Sequence, residues 1–379
     1  MRSLLIKASL LFLSATLVVG LTEVALRLAH YSEGSRIQVQ KIMEYDPLLG
    51  WRHKRNVSCE LTSDDYDIIV LYNSQGLRGL DRPYRKPQNV TRIVVLGASF
   101  VDGFYVPVKD RMTEVLEASL GAGFEVINLG VTAYGTDQNL LLLETEGWKY
   151  QPDLVVLTFT YREVWQNGRG RIYAGAQKPV FTLDEGGHLT LTNVPVPHPA
   201  PPLQDRFKVY RLIRTAAERN RFLRSLVIKA GAVSDLPLAP AGAGGSPEEF
   251  AAYRRVESPE LRKDWSITQA LLRRVKQEAD ARGVRLVVFY VPTRLELSAE
   301  EWSNARLPPD YDPGEVARRL AGICQAEGIP YVEPSERFRE AAKQGPLYFP
   351  HDPHWSPAGH HLAGRILAEY VENSWRREE

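Results

Sequence analysis

Four short runs in this chain are apolar almost without a break, and helical segments lie between them. Residues 92–96 (Arg-Ile-Val-Val-Leu), 125–129 (Glu-Val-Ile-Asn-Leu), 153–159 (Asp-Leu-Val-Val-Leu-Thr-Phe) and 284–291 (Val-Arg-Leu-Val-Val-Phe-Tyr-Val) have the length and β-branched content of strands. A strand that is apolar throughout must be covered on both faces, the situation of a parallel sheet between helical layers. Helices are expected at 109–120, 137–148, 267–281, 313–327 and 358–371, with a last short strand at 329–332. The alternation predicts an α/β fold: a three-layer α/β/α domain with a parallel sheet.

The alternation stops once. Pro179-Val-Phe-Thr-Leu183 and His188-Leu-Thr-Leu-Thr192 flank Asp184-Glu-Gly-Gly187 and read as a β-hairpin. Residues 194–202 are proline-rich and extended. Residues 205–229 read as a basic helix, which suits an anionic membrane surface, an acidic polymer or plain solvation. Residues 236–247, rich in Pro, Ala and Gly, read as a loop. Residues 168–264 are therefore expected to be an insertion of hairpin, basic helix and loop. Ahead of the sheet, 29–90 is irregular but too apolar for a free linker, so it is expected to pack on the core. The division is thus 1–28, 29–90, 91–167 with 265–375, and 168–264.

Arg2 and Lys7 precede an uncharged run at 8–21. As a helix, the eighteen residues 4–21 are about 27 Å long, enough to span a bilayer core. The positive end should stay cytoplasmic and the rest should face outward. No clean small-x-small cleavage site follows, so 1–28 reads as an uncleaved anchor in the inner membrane, with a cleaved signal and a secreted product as the alternative. A net charge of +1 gives no reason to expect a nucleic-acid partner. No zinc-type Cys/His spacing or nucleotide-binding glycine fingerprint is present, so no cofactor or metal is implied. Cys59 and Cys324 either pair, if the chain is exported, or stay as two buried thiols.

At the end of the first strand Gly97-Ala98-Ser99 breaks the run with small residues. A Ser at the carboxyl end of a buried strand stands where open α/β sheets bind ligands, and its hydroxyl can be a nucleophile if a base is in reach. It can equally well cap a turn. Asp352-Pro-His354 precedes the last helix and offers the missing partners. An imidazole takes a proton from a serine hydroxyl, and a carboxylate holds that imidazole in the right tautomer.

Gly97-Ala-Ser-Phe followed by Gly103 resembles the first block of the SGNH/GDSL hydrolase superfamily. Asn128-Leu-Gly-Val-Thr-Ala-Tyr-Gly-Thr-Asp-Gln138 resembles the second. Asp352-Pro-His-Trp-Ser-Pro-Ala-Gly359 resembles the last block of the branch with Asp-x-His-Trp, which includes bacterial polysaccharide O-acetyltransferases. Asn73-Ser-Gln-Gly-Leu-Arg78 looks like the lead-in of membrane-anchored members. The resemblance implies a flavodoxin-like sheet, with Ser99 as nucleophile, His354 as base and Asp352 as its orienting carboxylate. The oxyanion donors it implies are the N–H of Ser99 and that of Ala133, where the family has Gly. A third donor, where the family has Asn, falls at Arg162. Ala98 stands where the family has Asp. Loss of one oxyanion donor typically costs about a hundred- to a thousandfold. The expectation is an acyl-ester hydrolase or O-acyltransferase acting on an O-acylated envelope or secreted polysaccharide, with polysaccharide-assembly machinery as a further partner. The rivals are a catalytically impaired glycan-binding or assembly protein on the same fold and a membrane-proximal lipid esterase.

Overall fold

A computed structural model describes residues 2–29, 39–172, 176–198, 207–219 and 248–375. The chain divides into two compact units, Met1–Val39 with Pro199–Leu238 and Gln40–His198 with Ala239–Glu379.

In the first unit, residues Arg2–Leu28 form one helix (α1) and Lys208–Arg219 form another (α2). The Val209 N–H donates to Glu23 Oε2 at 2.9 Å, so a carboxylate of α1 caps the first turn of α2. Leu10, Leu13, Leu17 and Leu21 of α1 are exposed. The membrane span expected at 1–28 is not shown: among the described residues no helix is long and apolar enough to cross a membrane. The side chains at 8, 11, 12 and 15, which belong to the apolar run, lie outside the description. The basic helix expected at 205–229 is seen over Lys208–Arg219. The rest of it and the loop expected at 236–247 lie outside the described residues.

The second unit begins with two hairpins. β1 (Met43–Asp46) pairs antiparallel with β2 (Gly50–His53), and β3 (Val57–Thr62) with β4 (Asp67–Tyr72). The main sheet then starts with β5 (Thr91–Gly97), β6 (Phe124–Gly130) and β7 (Leu154–Phe159). The hairpin β8 (Val180–Leu183) and β9 (Leu189–Thr192) follows, and β10 (Arg285–Tyr290) and β11 (Tyr331–Val332) complete the sheet. The sheet order is β11-β10-β7-β5-β6, parallel at every pairing. All six residues of β7 are buried. Side chains alternate between two cores as a strand's period of two requires. Val94, Leu96, Val155, Leu157 and Val288 face the helices Thr136–Thr145, Pro259–Asp280 and Glu315–Ala326. Ile93, Val95, Val156, Val287 and Phe289 face the helices Met112–Leu120 and Pro357–Trp375.

The helix expected at 267–281 starts earlier. Ser258 Oγ accepts from the Leu261 N–H, and Pro259 occupies the first helical position, where its missing N–H costs nothing. Leu261 and Trp265 of this extension are core residues. The hairpin β8–β9 also joins the second unit, with Phe181 buried in the same core. Cys59 and Cys324 are both buried and no disulfide joins them, so the disulfide alternative does not form. The chain leaves β5 for β6 on one side and returns to β7 on the other. That reversal makes the carboxyl ends of β5 and β7 the topological switch point, where such sheets take ligands.

Candidate active site

Ser99 opens a four-residue helical turn, Ser99–Asp102, directly after β5, and Gly103 closes it in the left-handed region at φ 62°. Gly97 must be glycine, since a Cβ there would overlap the Thr158 hydroxyl of the neighbouring strand. The Ser99 Oγ lies 2.7 Å from His354 Nε2, and His354 Nδ1 lies 2.5 Å from Asp352 Oδ1. The same carboxylate oxygen accepts the His354 main-chain N–H at 2.9 Å. Burial pushes the Asp352 carboxyl up. Its hydrogen bonds to His354, the charge of that ring and Arg294 pull it down further, so it ends below the ordinary carboxylate value. Tyr105 stacks on the imidazole at 4.0 Å between centroids, and Phe100 approaches it at 4.8 Å. Ser99 and the Asp352–His354 pair, from two distant parts of the chain, thus form one hydrogen-bonded line at the carboxyl end of β5.

Beneath the serine turn lies a buried polar cluster. Asp102 Oδ1 accepts from Tyr72 Oη at 2.9 Å. Its Oδ2 accepts from Thr132 Oγ1 at 2.8 Å and faces His53 Nε2 at 3.1 Å. Arg78 donates to the carbonyls of Gly103 and, at 2.7 Å, Val106. Arg111 donates to the Arg78 carbonyl at 2.8 Å and to the Asp102 carbonyl at 3.3 Å. Burial raises the Asp102 carboxyl, and His53, Arg78 and Thr132 outweigh it, leaving the group ionised below its usual value. Thr132, within the second block, thereby ties the loop after β6 to the serine turn.

Ala133, in that loop, has φ 65°. This is the left-handed conformation in which glycine is unstrained and an L-residue is not. The family's glycine therefore matches this position for a backbone reason. Among the described residues neither the Ser99 nor the Ala133 N–H has a hydrogen-bond partner, so both are available as donors. Arg162 follows β7 in the helix Tyr161–Gln166. Its Nε donates to Tyr161 Oη at 3.1 Å and lies 3.6 Å from Glu249 Oε2, a buried carboxylate. Its neighbour Glu163 points elsewhere: it accepts from the Thr160 N–H at 3.0 Å and from Thr136 Oγ1 at 2.6 Å. Burial dominates there and raises the Glu163 carboxyl to about 8, so it is neutral at pH 7. Asn167, the asparagine of this segment, is buried and bonds Thr268 at 3.0 Å.

Residues 250–379 match the family described as SGNH hydrolase-like domain, acetyltransferase AlgX. Over those residues the chain is similar to an SGNH hydrolase-like domain. The alginate biosynthesis protein AlgX of Pseudomonas putida is 31% identical over 123 residues, 30% of this chain and 25% of that protein. The chain thus spans about a quarter of the length of that curated relative. An acetylxylan esterase from Geobacillus stearothermophilus is similar at a TM-score of 0.39 with 12% identity, over 74% of this chain and 94% of the esterase. A lipase/acylhydrolase from Enterococcus faecalis has a TM-score of 0.40 with 12% identity, over 75% and 97% of the two chains.

The second unit contains residues around this site that sequence reasoning passed over. Asp102 lay inside the quoted Ser99 stretch, but nothing local marks a buried carboxylate whose partners are 30 and 49 residues away. Asp65, in the β3–β4 turn, binds the loop of Asp352 and His354 from a segment read only as packing material. The signal was a run of small and acidic residues, Thr62-Ser-Asp-Asp65, between two strands.

Proposed function

We propose that the second unit is a serine-dependent acyl-ester enzyme whose substrate is an O-acylated envelope or secreted polysaccharide. The hydrogen-bonded line from Ser99 through His354 to Asp352 carries this reading. In the reaction, the Ser99 Oγ attacks the ester carbonyl as its proton passes to His354 Nε2. Asp352 holds Nδ1–H and stabilises the imidazolium. The N–H groups of Ser99 and Ala133 receive the oxyanion, in a site whose donors are fixed before reaction. His354 returns the proton to the leaving alcohol. Water or a sugar hydroxyl then attacks the acyl-enzyme, giving a hydrolase or an O-acyltransferase respectively. The name of the Pseudomonas putida relative supports a polysaccharide context. Arg162, held beside Glu249, is in this reading a side-chain donor at the site. The uncharged run at 8–21 and the exposed leucines of α1 support a membrane anchor with the enzyme on the outer side. A C-terminal alkaline phosphatase fusion should then be active and membrane-bound; a soluble cytoplasmic product overturns the anchor.

The test of the chemistry is a fluorophosphonate probe together with acetyl release from a panel of acetylated glycans. Labelling in the wild type and none in Ser99→Ala is expected. A folded wild type that neither labels nor releases acetyl is a binding protein on this fold. Activity on long-chain esters alone moves the substrate to lipid.

A further inference from the structure

The loop that carries the base is a small closed hairpin. The Phe349 N–H donates to the His354 carbonyl at 3.0 Å and the Ser356 N–H to the Leu347 carbonyl at 2.9 Å, leaving residues 350–353 as a tip. Two charged side chains from elsewhere grip it. Arg294 donates from Nη1 to the carbonyls of Phe349 and Pro350 at 2.8 and 3.1 Å. Asp65 Oδ2 accepts both the His351 and the Asp352 main-chain N–H, at 3.0 and 2.7 Å, and Asp65 Oδ1 lies 2.9 Å from His351 Nδ1. The Asp65 side chain is 3% exposed, whereas that of His351 is 70% exposed. Among the described residues no other element bonds the N–H groups of 351 and 352.

We propose that Asp65 is a positioning residue for the Asp352–His354 pair, holding the loop tip through one carboxylate oxygen shared by two successive N–H groups. This rests on the serine reading above. The Asp352 carboxylate must meet His354 Nδ1 while Nε2 meets Ser99, and both contacts lie on one short tip. A proline on each side, Pro350 and Pro353, removes two further main-chain donors that might have anchored it. The tip is therefore fixed from outside. Nucleophilic and general-base groups lose about a hundredfold when displaced by roughly 1 Å.

The experiment compares Asp65→Ala, Asp65→Asn, His351→Ala and Ser99→Ala in the full chain. It measures kcat and KM for p-nitrophenyl acetate, the rate of fluorophosphonate labelling, and Tm. Asp65→Ala should lower kcat and labelling roughly ten- to a hundredfold with little change in KM. Asp65→Asn keeps an oxygen able to accept both N–H groups, so it should restore most of the rate. His351→Ala loses only the ring contact and should stay within about threefold. A merely structural role predicts instead that Asn and Ala lose activity alike and in step with Tm. That result, or wild-type kcat in Asp65→Ala, overturns the proposal. If Asp65→Ala does not fold, Asp65→Ser, whose hydroxyl is too short to reach both donors, carries the same expectation. If Ser99→Ala remains active the serine reading falls and this proposal with it. If Ser99→Ala is inactive and Asp65→Ala is normal, only this proposal falls.

Discussion

Ser99 and His354, the proposed nucleophile and base, are secured by different kinds of structure. Ser99 stands on the end of a central strand over a buried cluster of Asp102, His53, Tyr72, Arg78 and Arg111, every member of which is at most 4% exposed. His354 stands on a loop flanked by aromatic rings and gripped at its partly exposed tip by Asp65 and Arg294. The first arrangement is part of the core, so damage to it costs folding free energy. The second lies at the edge, so damage to it costs geometry while the fold survives. Stability and catalysis are thus separable by residue in this site, and mutations should sort by which half they touch.

The largest effects should come where the halves meet. Ser99→Ala and His354→Ala should each lower turnover by at least about 10⁴-fold, with the double variant little worse, because the two act as a unit. Asp352→Asn should lose about 10³- to 10⁴-fold by presenting the wrong imidazole tautomer. Steady-state ester hydrolysis reads all of these, and near-normal Ser99→Ala would dissolve the pairing of the two halves.

Next is the buried half. Asp102→Ala takes the buried acceptor from Tyr72, Thr132 and His53 and the nearby countercharge of Arg78, and should cost about 3–5 kcal/mol in urea denaturation. The carboxyls of Asp102 and Asp352 both lie below their unfolded values. Their stabilisation is therefore complete above about pH 4 and is lost as pH falls through the lowered folded values. Asp102→Asn should flatten that acid limb. An unchanged limb would mean that the cluster under Ser99 adds no net stability.

Glu163 works in the opposite sense. Its folded carboxyl is raised from 4.5 to about 8, so its contribution is intact below about pH 4.5 and is lost as pH rises toward 8. Unfolding free energy should fall by roughly 2–4 kcal/mol between pH 5 and 8, and by less in Glu163→Gln. Equal slopes in both proteins would remove Glu163 from the buried half.

The smallest effect belongs to Ala133. Relieving its left-handed conformation with Ala133→Gly should raise stability by roughly 0.5–1 kcal/mol and leave the N–H donor, and hence the rate, nearly unchanged. A large rate change would show that the methyl group, not only the backbone, shapes the site.

Legibility in the sequence follows the same division. The five-stranded sheet was readable because each strand is a contiguous apolar run, and β7 shows its two covered faces in six letters. Ser99, Asp352 and His354 were readable because each sits in a local motif. Ala133 was placed by family resemblance, and its φ supplies the physical reason. Arg162 was placed by position, but its pairing with Glu249 depends on the short helix Glu249–Tyr253 and could not be read from either segment alone. Asp65 and Asp102 went unread for a related reason. Their partners are remote in sequence, and a single buried carboxylate leaves no periodic trace.

The Asp65 contacts also have a temporal side. Ser99 and His354 are 255 residues apart, and Asp65 is 286 residues from His351. Contacts of such separation form late, because the loops they close are the costliest to order. On a ribosome the sheet as far as β10 can assemble before the loop of Asp352 and His354 exists at all. On the proposed reading, chemical competence therefore waits for that loop to dock, and until then the nascent chain carries a serine turn without its proposed base.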